Sequence, residues 1–379
     1  MKHVIVLGAG MVGSAIAVDM AKTHQVTLTD LNESALKRAR NRCNELNCFN
    51  LDVTDKNLLH STLKSFDLVI CAVPGFLGFE TLKSIIEASK NVVDISFFPE
   101  NALDLDALAK EKGITAIVDC GVAPGMDNII LGHYNEKMAL TDFECLVGGL
   151  PKFKKWPFYY KAPFSPIDVI EEYTRPARYV ENFKLITKEA LTDCEYLNFE
   201  KIGTLESFNT DGLRSIVHTM SHIPNMKEKT LRFPGHVEFI KGLKASGFFS
   251  EDKMKINGTE VSALNFTCKI LFKEWKLEDD DEEFTIMRIT LKGENTDGKT
   301  EEVVYELYDE YCSITKTSSM SRTTGYTATA AANLILEGLF NEKGVFPPEL
   351  VGKHEKCFKF ILNYLEERNV VYKRTSRMI

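Results

Sequence analysis

The sequence predicts an α/β protein: a doubly wound parallel sheet that carries an inserted α+β domain. Three observations lead there. Over the first 120 residues short apolar runs alternate with amphipathic ones. A glycine-rich turn, GAGMVG at 8–13, follows the first of those runs. After a stretch of different texture, a helix of small residues begins near residue 318.

The runs HVIVLG, QVTLTD, CFNLDV, DLVICAVP, NVVDIS and ITAIVDCG are β-branched and mostly apolar, as strands buried on both faces must be. Between them, MVGSAIAVDMAK, SALKRARNRCNEL and ETLKSIIEASK have the spacing of helices. Strand and helix in alternation imply right-handed crossovers and a parallel sheet. The corner VDCGVAPGMDN (118–128) therefore falls at the carboxyl end of the sixth strand. From 140 to 320 the chain is richer in Lys, Glu, Phe and Tyr. There DFECLVGG, TEVSALNFTCKILF, FTIMRITLKG and EVVYELYDEY read as strands of a mixed or antiparallel sheet with one face in water. The acidic run LEDDDEEF (277–284) is expected as a solvated loop between two of these strands, since it lacks the spacing and the glycine of a calcium loop. Two helices close the chain: GYTATAAANLILEGLF, and the long amphipathic ELVGKHEKCFKFILNYLEERN. Small residues let a helix approach a sheet closely, so this tail is expected to return to the first domain. The expected division is 1–125 with 318–379 as a Rossmann-type nucleotide domain, and 126–317 as a substrate-binding and oligomerisation domain.

The glycine turn carries the first chemistry. Gly8, Gly10 and Gly13 stand in G-x-G-x-x-G spacing between a strand and a helix, and Asp30 closes the second strand, about 20 residues on, as a dinucleotide site requires. Gly8 permits the tight turn, Gly10 lets backbone approach a pyrophosphate, and Gly13 lets the helix pack on the sheet. Ala9, Met11 and Val12 complete the loop, whose helix N-terminus offers unpaired N–H groups to phosphate. Asp30 suits a ribose 2′-hydroxyl and repels a 2′-phosphate, so NAD is expected over NADP. Asp52 and Val53 after the third strand, and Ala72, Val73 and Pro74 after the fourth, lie by topology where such folds touch adenine and the nicotinamide ribose.

Composition excludes other classes. A net charge of −8 argues against broad attraction to nucleic acid or anionic membrane, which leaves a small molecule as the expected partner. No run approaches the roughly 20 apolar residues of a membrane span, and no leader-like segment follows Met1, so a cytoplasmic location is expected. The nine cysteines form no C-x-x-C pair and read as mostly buried thiols. His218 and His222 have i,i+4 spacing, but the glutamate of H-E-x-x-H is missing, so no metal is expected.

GAGMVG, GVAPGMDN, VGGLP, YKAPFSP, LRFPGH, GFF, MSRTTGYT and GVFPPE occur in the order found in the saccharopine dehydrogenase-like family. The chain is most similar to the branch that contains L-lysine 6-dehydrogenase, from residue 1 to about 350. The resemblance implies an NAD(P)-dependent enzyme acting on a C–N bond of an amino acid, with the substrate domain inserted into the nucleotide domain. It implies oxidative deamination of L-lysine to 2-aminoadipate 6-semialdehyde and ammonia. Glutamate-forming saccharopine dehydrogenase is one alternative, and a non-catalytic NAD-binding regulatory protein is another. A homo-oligomer, dimer or tetramer, is expected. Many relatives read GLDPGIDH where this chain has Ala123 and Asn128, so no role at those two positions carries over.

The chemistry sets its own demands. A protonated amine cannot become an iminium, so hydride removal needs a proton acceptor beside the nitrogen, and an α-carboxylate needs a cation. Asp119 and Asp127 flank the Gly/Pro corner past the sheet's carboxyl edge, where ligands of such folds bind. Asp127, at a helix N-terminus, is expected to have a lowered pKa and to hold an ammonium. Arg232 is the expected carboxylate clamp, because a guanidinium matches a carboxylate bidentately. Lys161 is a candidate acid–base group if desolvated. Tyr160 and His236 are further substrate-binding candidates.

Overall fold

A computed structural model of the chain describes residues 1–278 and 281–379. Strands β1 (His3–Leu7), β2 (Gln25–Asp30), β3 (Asn47–Asn50), β4 (Leu68–Cys71), β5 (Val92–Asp94) and β6 (Thr115–Ile117) alternate with helices. The helices are α1 (Met11–Met20), α2 (Glu33–Arg42), α3 (Lys56–Leu63), α4 (Gly75–Glu87) and α5 (Asp106–Glu111). The strands pair in parallel in the order β6-β5-β4-β1-β2-β3. Val4–Leu7 and Leu68–Cys71 are fully buried, as central strands covered on both faces require. The order reverses between β1 and β4, which makes the crevice at their carboxyl ends the place where ligands bind.

Beyond the corner come α6 (Met126–Asn135), β7 (Met138–Pro151), α7 (Pro166–Thr174), β8 (Ala177–Glu181), β9 (Lys184–Lys188), β10 (Glu195–Phe199), β11 (Gly203–Asn209) and α8 (Ile216–Thr219). They are followed by β12 (Asn225–Arg232), α9 (His236–Ala245), β13 (Lys253–Ile256), β14 (Thr259–Ser262), α10 (Ala263–Glu274), β15 (Glu283–Asn295) and β16 (Thr300–Glu310). The tail holds α11 (Ser319–Leu336), β17 (Gly344–Phe346), α12 (Pro348–Gly352), α13 (Glu355–Glu366) and β18 (Tyr372–Met378). The second sheet runs β10-β11-β12-β7-β15-β16-β18, with β8 on β12 and β9 on β8. Only its β12–β7 pair is parallel among the described residues, so the sheet is mixed.

The tail does return. α11 lies on α1, where a Cβ at Gly325 would stand 3.3 Å from Ile16 Cγ1, so the small residue sets the approach. β17 adds a seventh parallel strand beside β6. Its end differs from expectation: β18 pairs antiparallel with β16 in the second sheet, so residues 372–378 do not belong with the nucleotide half.

Three other expectations change. Residues 263–274 form a helix, not a strand. Ser262 Oγ caps it by accepting from Asn265 N–H at 3.1 Å, and its buried Thr267, Cys268 and Leu271 follow a helical period. The acidic run therefore follows a helix. Within it Asp279 and Asp280 lie outside the described residues, while Glu283 is buried in β15 and accepts from Met320 N–H at 3.2 Å. The long C-terminal helix is two helices, broken at Lys353–His354. Among the described residues no helix is long and apolar enough to cross a membrane.

Candidate active site

The glycine turn fits a dinucleotide. Gly8 has φ +104°, and a Cβ there would lie 2.4 Å from the Ala72 carbonyl oxygen. A Cβ at Gly13 would lie 2.0 Å from the Gly8 oxygen, whereas one at Gly10 would meet nothing within 4 Å. Two glycines are thus locked against backbone while the middle one faces open space, the cradle a pyrophosphate needs. Met11 and Val12 open α1 without a side-chain cap, so its first N–H groups stay available to phosphate. Asp30 is held at this loop: Ala9 N–H donates to one carboxylate oxygen at 2.6 Å and Asn32 N–H to the other at 2.7 Å. Each oxygen keeps a lone pair for a ribose hydroxyl. The following residues, Leu31, Asn32, Glu33, Ser34 and Ala35, offer no cation to a 2′-phosphate. Asp52 takes N–H and O–H bonds from Thr54, which hold its carboxyl below the usual range. Val53 is half-buried beside it, and Ala72, Val73 and Pro74 run from the Gly8 contact into α4.

The inserted domain sets arginines over this edge. Arg214 Nε donates to Asp119 at 2.8 Å and its Nη1 to the Phe98 carbonyl at 2.5 Å. Its guanidinium also stacks on Phe97 and Phe98, and Arg175 approaches the same Phe97 ring. Asp119 is therefore a tie between the two halves, with its charge already matched. Arg178 pairs with Asp211 at 2.8 Å, and Arg175 with Glu171.

Alternation along β12 places Glu228, Thr230 and Arg232 on one face. Arg232 is 2% exposed. It donates to Glu172 at 2.7 Å, Tyr173 at 3.2 Å and Tyr160 at 3.4 Å, and lies over the Tyr160 ring. His236 belongs to the same group. Its Nδ1–H donates to the Phe158 carbonyl at 2.7 Å, so Nε2 accepts from Tyr173 O–H at 2.9 Å. Burial, then Arg232, lower its pKa to about 3, and the ring stays neutral. The structure thus brings Tyr160, Arg232 and His236 together, with Glu172 and Tyr173 added. Lys161 is not among them: its ammonium donates to the Lys276 carbonyl at 2.8 Å and stands 3.8 Å from Asp281, so it is turned away from that group.

Asp127 is fully buried. Gly125 N–H donates to its Oδ1 at 2.9 Å, and Oδ2 has no partner among the described residues. Its Oδ, the Cys145 Sγ and a Glu228 carboxyl oxygen lie within 4.8 Å of one another. The expected lowering of its pKa is reversed: burial outweighs the backbone N–H bonds and pushes it up to about 7. Burial and Asp127 likewise push Glu228 well above the carboxylate range. A carboxyl raised in the folded state stabilises below its unfolded pKa and loses that contribution as pH rises through the folded value. Asp127→Asn is therefore expected to melt higher than the parent at pH 8 and equal to it near pH 4, as thermal melts at the two pH values will show.

His218 lines a small crevice with Asp119, Arg178 and Arg214, whereas His222 Nε2 pairs with Asn135 at 2.6 Å. The two do not share a ligand position. Asn128 donates to Glu349 at 3.0 Å, tying α6 to α12.

Residues 4–117 match the family model of the saccharopine dehydrogenase NADP binding domain, and residues 121–371 that of the saccharopine dehydrogenase C-terminal domain. The chain is 22% identical to the Saccharomyces cerevisiae saccharopine dehydrogenase (NADP(+), L-glutamate-forming), over 97% of this chain and 99% of that protein. It is 24% identical to the mitochondrial alpha-aminoadipic semialdehyde synthase of Rattus norvegicus, over 70% of this chain but only 30% of that protein's length. In fold it matches the apo Saccharomyces cerevisiae saccharopine dehydrogenase (L-Glu forming) with TM-score 0.81 at 20% identity, each chain covered in full. It also matches a homospermidine synthase from Legionella pneumophila in complex with NAD, with TM-score 0.69 at 12% identity over 100% of this chain and 91% of that one.

Proposed function

The chain belongs to the saccharopine dehydrogenase family, and on that premise we propose that it oxidises the side-chain amine of L-lysine with NAD, releasing 2-aminoadipate 6-semialdehyde and ammonia. The family places it among NAD(P)-binding oxidoreductases that act on CH–NH groups.

One observation carries the choice of substrate. Arg175, Arg178, Arg214 and Arg232 each already hold a carboxylate. Asp127, Asp168 and Glu228 each keep a buried oxygen without a partner among the described residues. Arg175 Nη1 also lacks a partner among those residues, but the three carboxyl oxygens outnumber it, and that surplus favours a substrate that brings positive charge. Lysine does so through its side-chain amine. Arg232, freed from Glu172, supplies the fork for its α-carboxylate.

When bound, the nicotinamide supplies the hydride acceptor; Gly8–Gly13 and Asp30 would hold the dinucleotide. The chain's own residues position the amine, exclude water from it and accept its proton. Asp30 supports NAD over NADP. Asp30→Ala is expected to weaken NAD binding and narrow its advantage over NADP. An unchanged ratio of the two dissociation constants would remove Asp30 from that role.

A second reading, glutamate-forming oxidation of saccharopine, is favoured by the end-to-end similarity to the yeast protein of that name. It requires arginines released from their partners to hold the additional carboxylates. Absorbance of the reduced cofactor across lysine, saccharopine and other amino acids, with NAD and with NADP, tests both. Turnover of lysine with NAD supports the proposal, and turnover of saccharopine alone overturns it. Homo-oligomeric assembly is part of the same proposal, supported by Phe266 and Ile270, which are 59% and 48% exposed one turn apart on α10.

A further inference from the structure

Asp168 descends from the inserted domain onto the reversal point of the nucleotide sheet. A Cβ on Gly75 would stand 3.2 Å from Asp168 Oδ1 and 2.3 Å from the Phe97 carbonyl oxygen. Gly75 follows Ala72, Val73 and Pro74 at the end of β4, and the Ala72 carbonyl is the group packed against Gly8. One carboxylate of α7 therefore stands beside the crevice between β1 and β4. Asp168 is 6% exposed, and its Oδ1 has no hydrogen-bond partner among the described residues. A helix cap alone does not account for that orphaned oxygen, because a buried carboxyl oxygen left unpaired is costly.

We propose that Asp168 is the proton acceptor for the amine that this enzyme oxidises. The inference deepens the proposed function and rests on its amine chemistry. The carboxylate takes a proton from the R–CH₂–NH₃⁺ nitrogen and becomes a carboxylic acid, leaving R–CH₂–NH₂. The adjacent carbon then loses a hydride, with its electron pair, to the oxidised nicotinamide, which leaves R–CH=NH₂⁺. Water adds its oxygen to that carbon, the C–N bond breaks, and the nitrogen departs as ammonium. The sum is amine cation, water and oxidised cofactor giving aldehyde, ammonium, reduced cofactor and one proton.

The surroundings suit a group that must change charge near neutrality. Burial, then Glu171, raise its pKa to about 7; a Ser165 hydrogen bond opposes this, Glu172 adds to it and Arg175 offsets it. Facing α4 it stands over Gly75, whose other near neighbour is the Phe97 carbonyl. α10, packed on α7, contributes Cys268 and Leu271 to their shared apolar core.

The test compares the full-length parent with Asp168→Asn, which keeps shape and capping ability, and Asp168→Glu, which keeps the acid. Two readouts are taken. Difference infrared spectra of parent minus Asp168→Asn, without substrate, should contain a protonated-carboxyl band that disappears as pH rises through about 7. In steady-state assays with the amine the parent turns over best, Asp168→Asn should lose roughly 10²-fold or more in kcat and the acidic limb of the pH profile, with NAD affinity unchanged. Asp168→Glu should restore part of the rate. An asparagine variant within threefold of the parent and with the same limb, or no such infrared band, overturns the assignment. A parent that oxidises another amine but not lysine overturns the substrate proposal instead, and leaves the Asp168 comparison to be made with that amine.

Discussion

Arg214→Met is expected to lower stability by about 3–5 kcal/mol, the cost typical of removing one partner from a buried ion pair, and to abolish turnover. Asp119 is 6% exposed, and Arg214 is its only ion-pair partner among the described residues. Burial, and to a smaller degree the Asp119 charge, push up the pKa of the nearby Asp94. Loss of the guanidinium would thus leave the Asp119 charge unpaired in a dry place and would strand the Phe98 carbonyl, which it holds at 2.5 Å. Since Phe98 and Asp119 belong to the nucleotide half and Arg214 to the insertion, the same change should loosen the two halves. Thermal and urea unfolding will measure it. Adding Asp119→Asn should recover part of the loss, because the pair is coupled. A single variant within 1 kcal/mol of the parent would show that the ion pair does not hold the halves together.

Ending the chain at residue 317 should have a comparable effect. α11 buries Ala328, Ala330, Ala331, Ala332 and Leu334 completely, and the same truncation removes β17 from the edge of the parallel sheet and β18 from the other sheet. The exposed apolar surface would drive aggregation. Expression of residues 1–317 followed by fractionation should find insoluble protein. A soluble product that binds NAD would show that the tail is an independent appendage.

How much of this was legible in the sequence depended on the range of the interaction involved. The nucleotide half could be read because its determinants are local: period, glycine spacing, and a strand ending in Asp30. Residues 263–274 misled because LNFTCKILF is rich in β-branched and aromatic side chains, although Ser262 three residues before Asn265 is a cap signal. Tyr372–Met378 gave no strand signal because it lies at a sheet edge with charged, exposed side chains, as edge strands often do.

In the structure Tyr160, Arg232 and His236 came together. Lys161 did not, since adjacency to Tyr160 in sequence says nothing about which way a side chain turns in an irregular segment. Arg214 and Asp119 are 95 residues apart, and pairing over that distance has no local signature. Asp168 and Glu172 were hidden as ordinary acidic residues in the first and last turns of one short helix. Glu228 had a faint signal in the alternation Glu228, Thr230, Arg232 along one strand. At Asp127 the environment differs from expectation: the helix-end effect expected to lower its pKa is outweighed by complete burial.

The central claim is that the surplus of buried carboxyls selects a cationic amine, and that this amine leaves as ammonia. Incubating the protein with NAD and lysine labelled with nitrogen-15 at the side-chain amine, and following the label by NMR, tests it most directly. With lysine as the substrate, the label is expected to appear as free ammonium in step with reduced cofactor, one for one. Label that stays in lysine, while saccharopine gives glutamate and reduced cofactor under the same conditions, would contradict it.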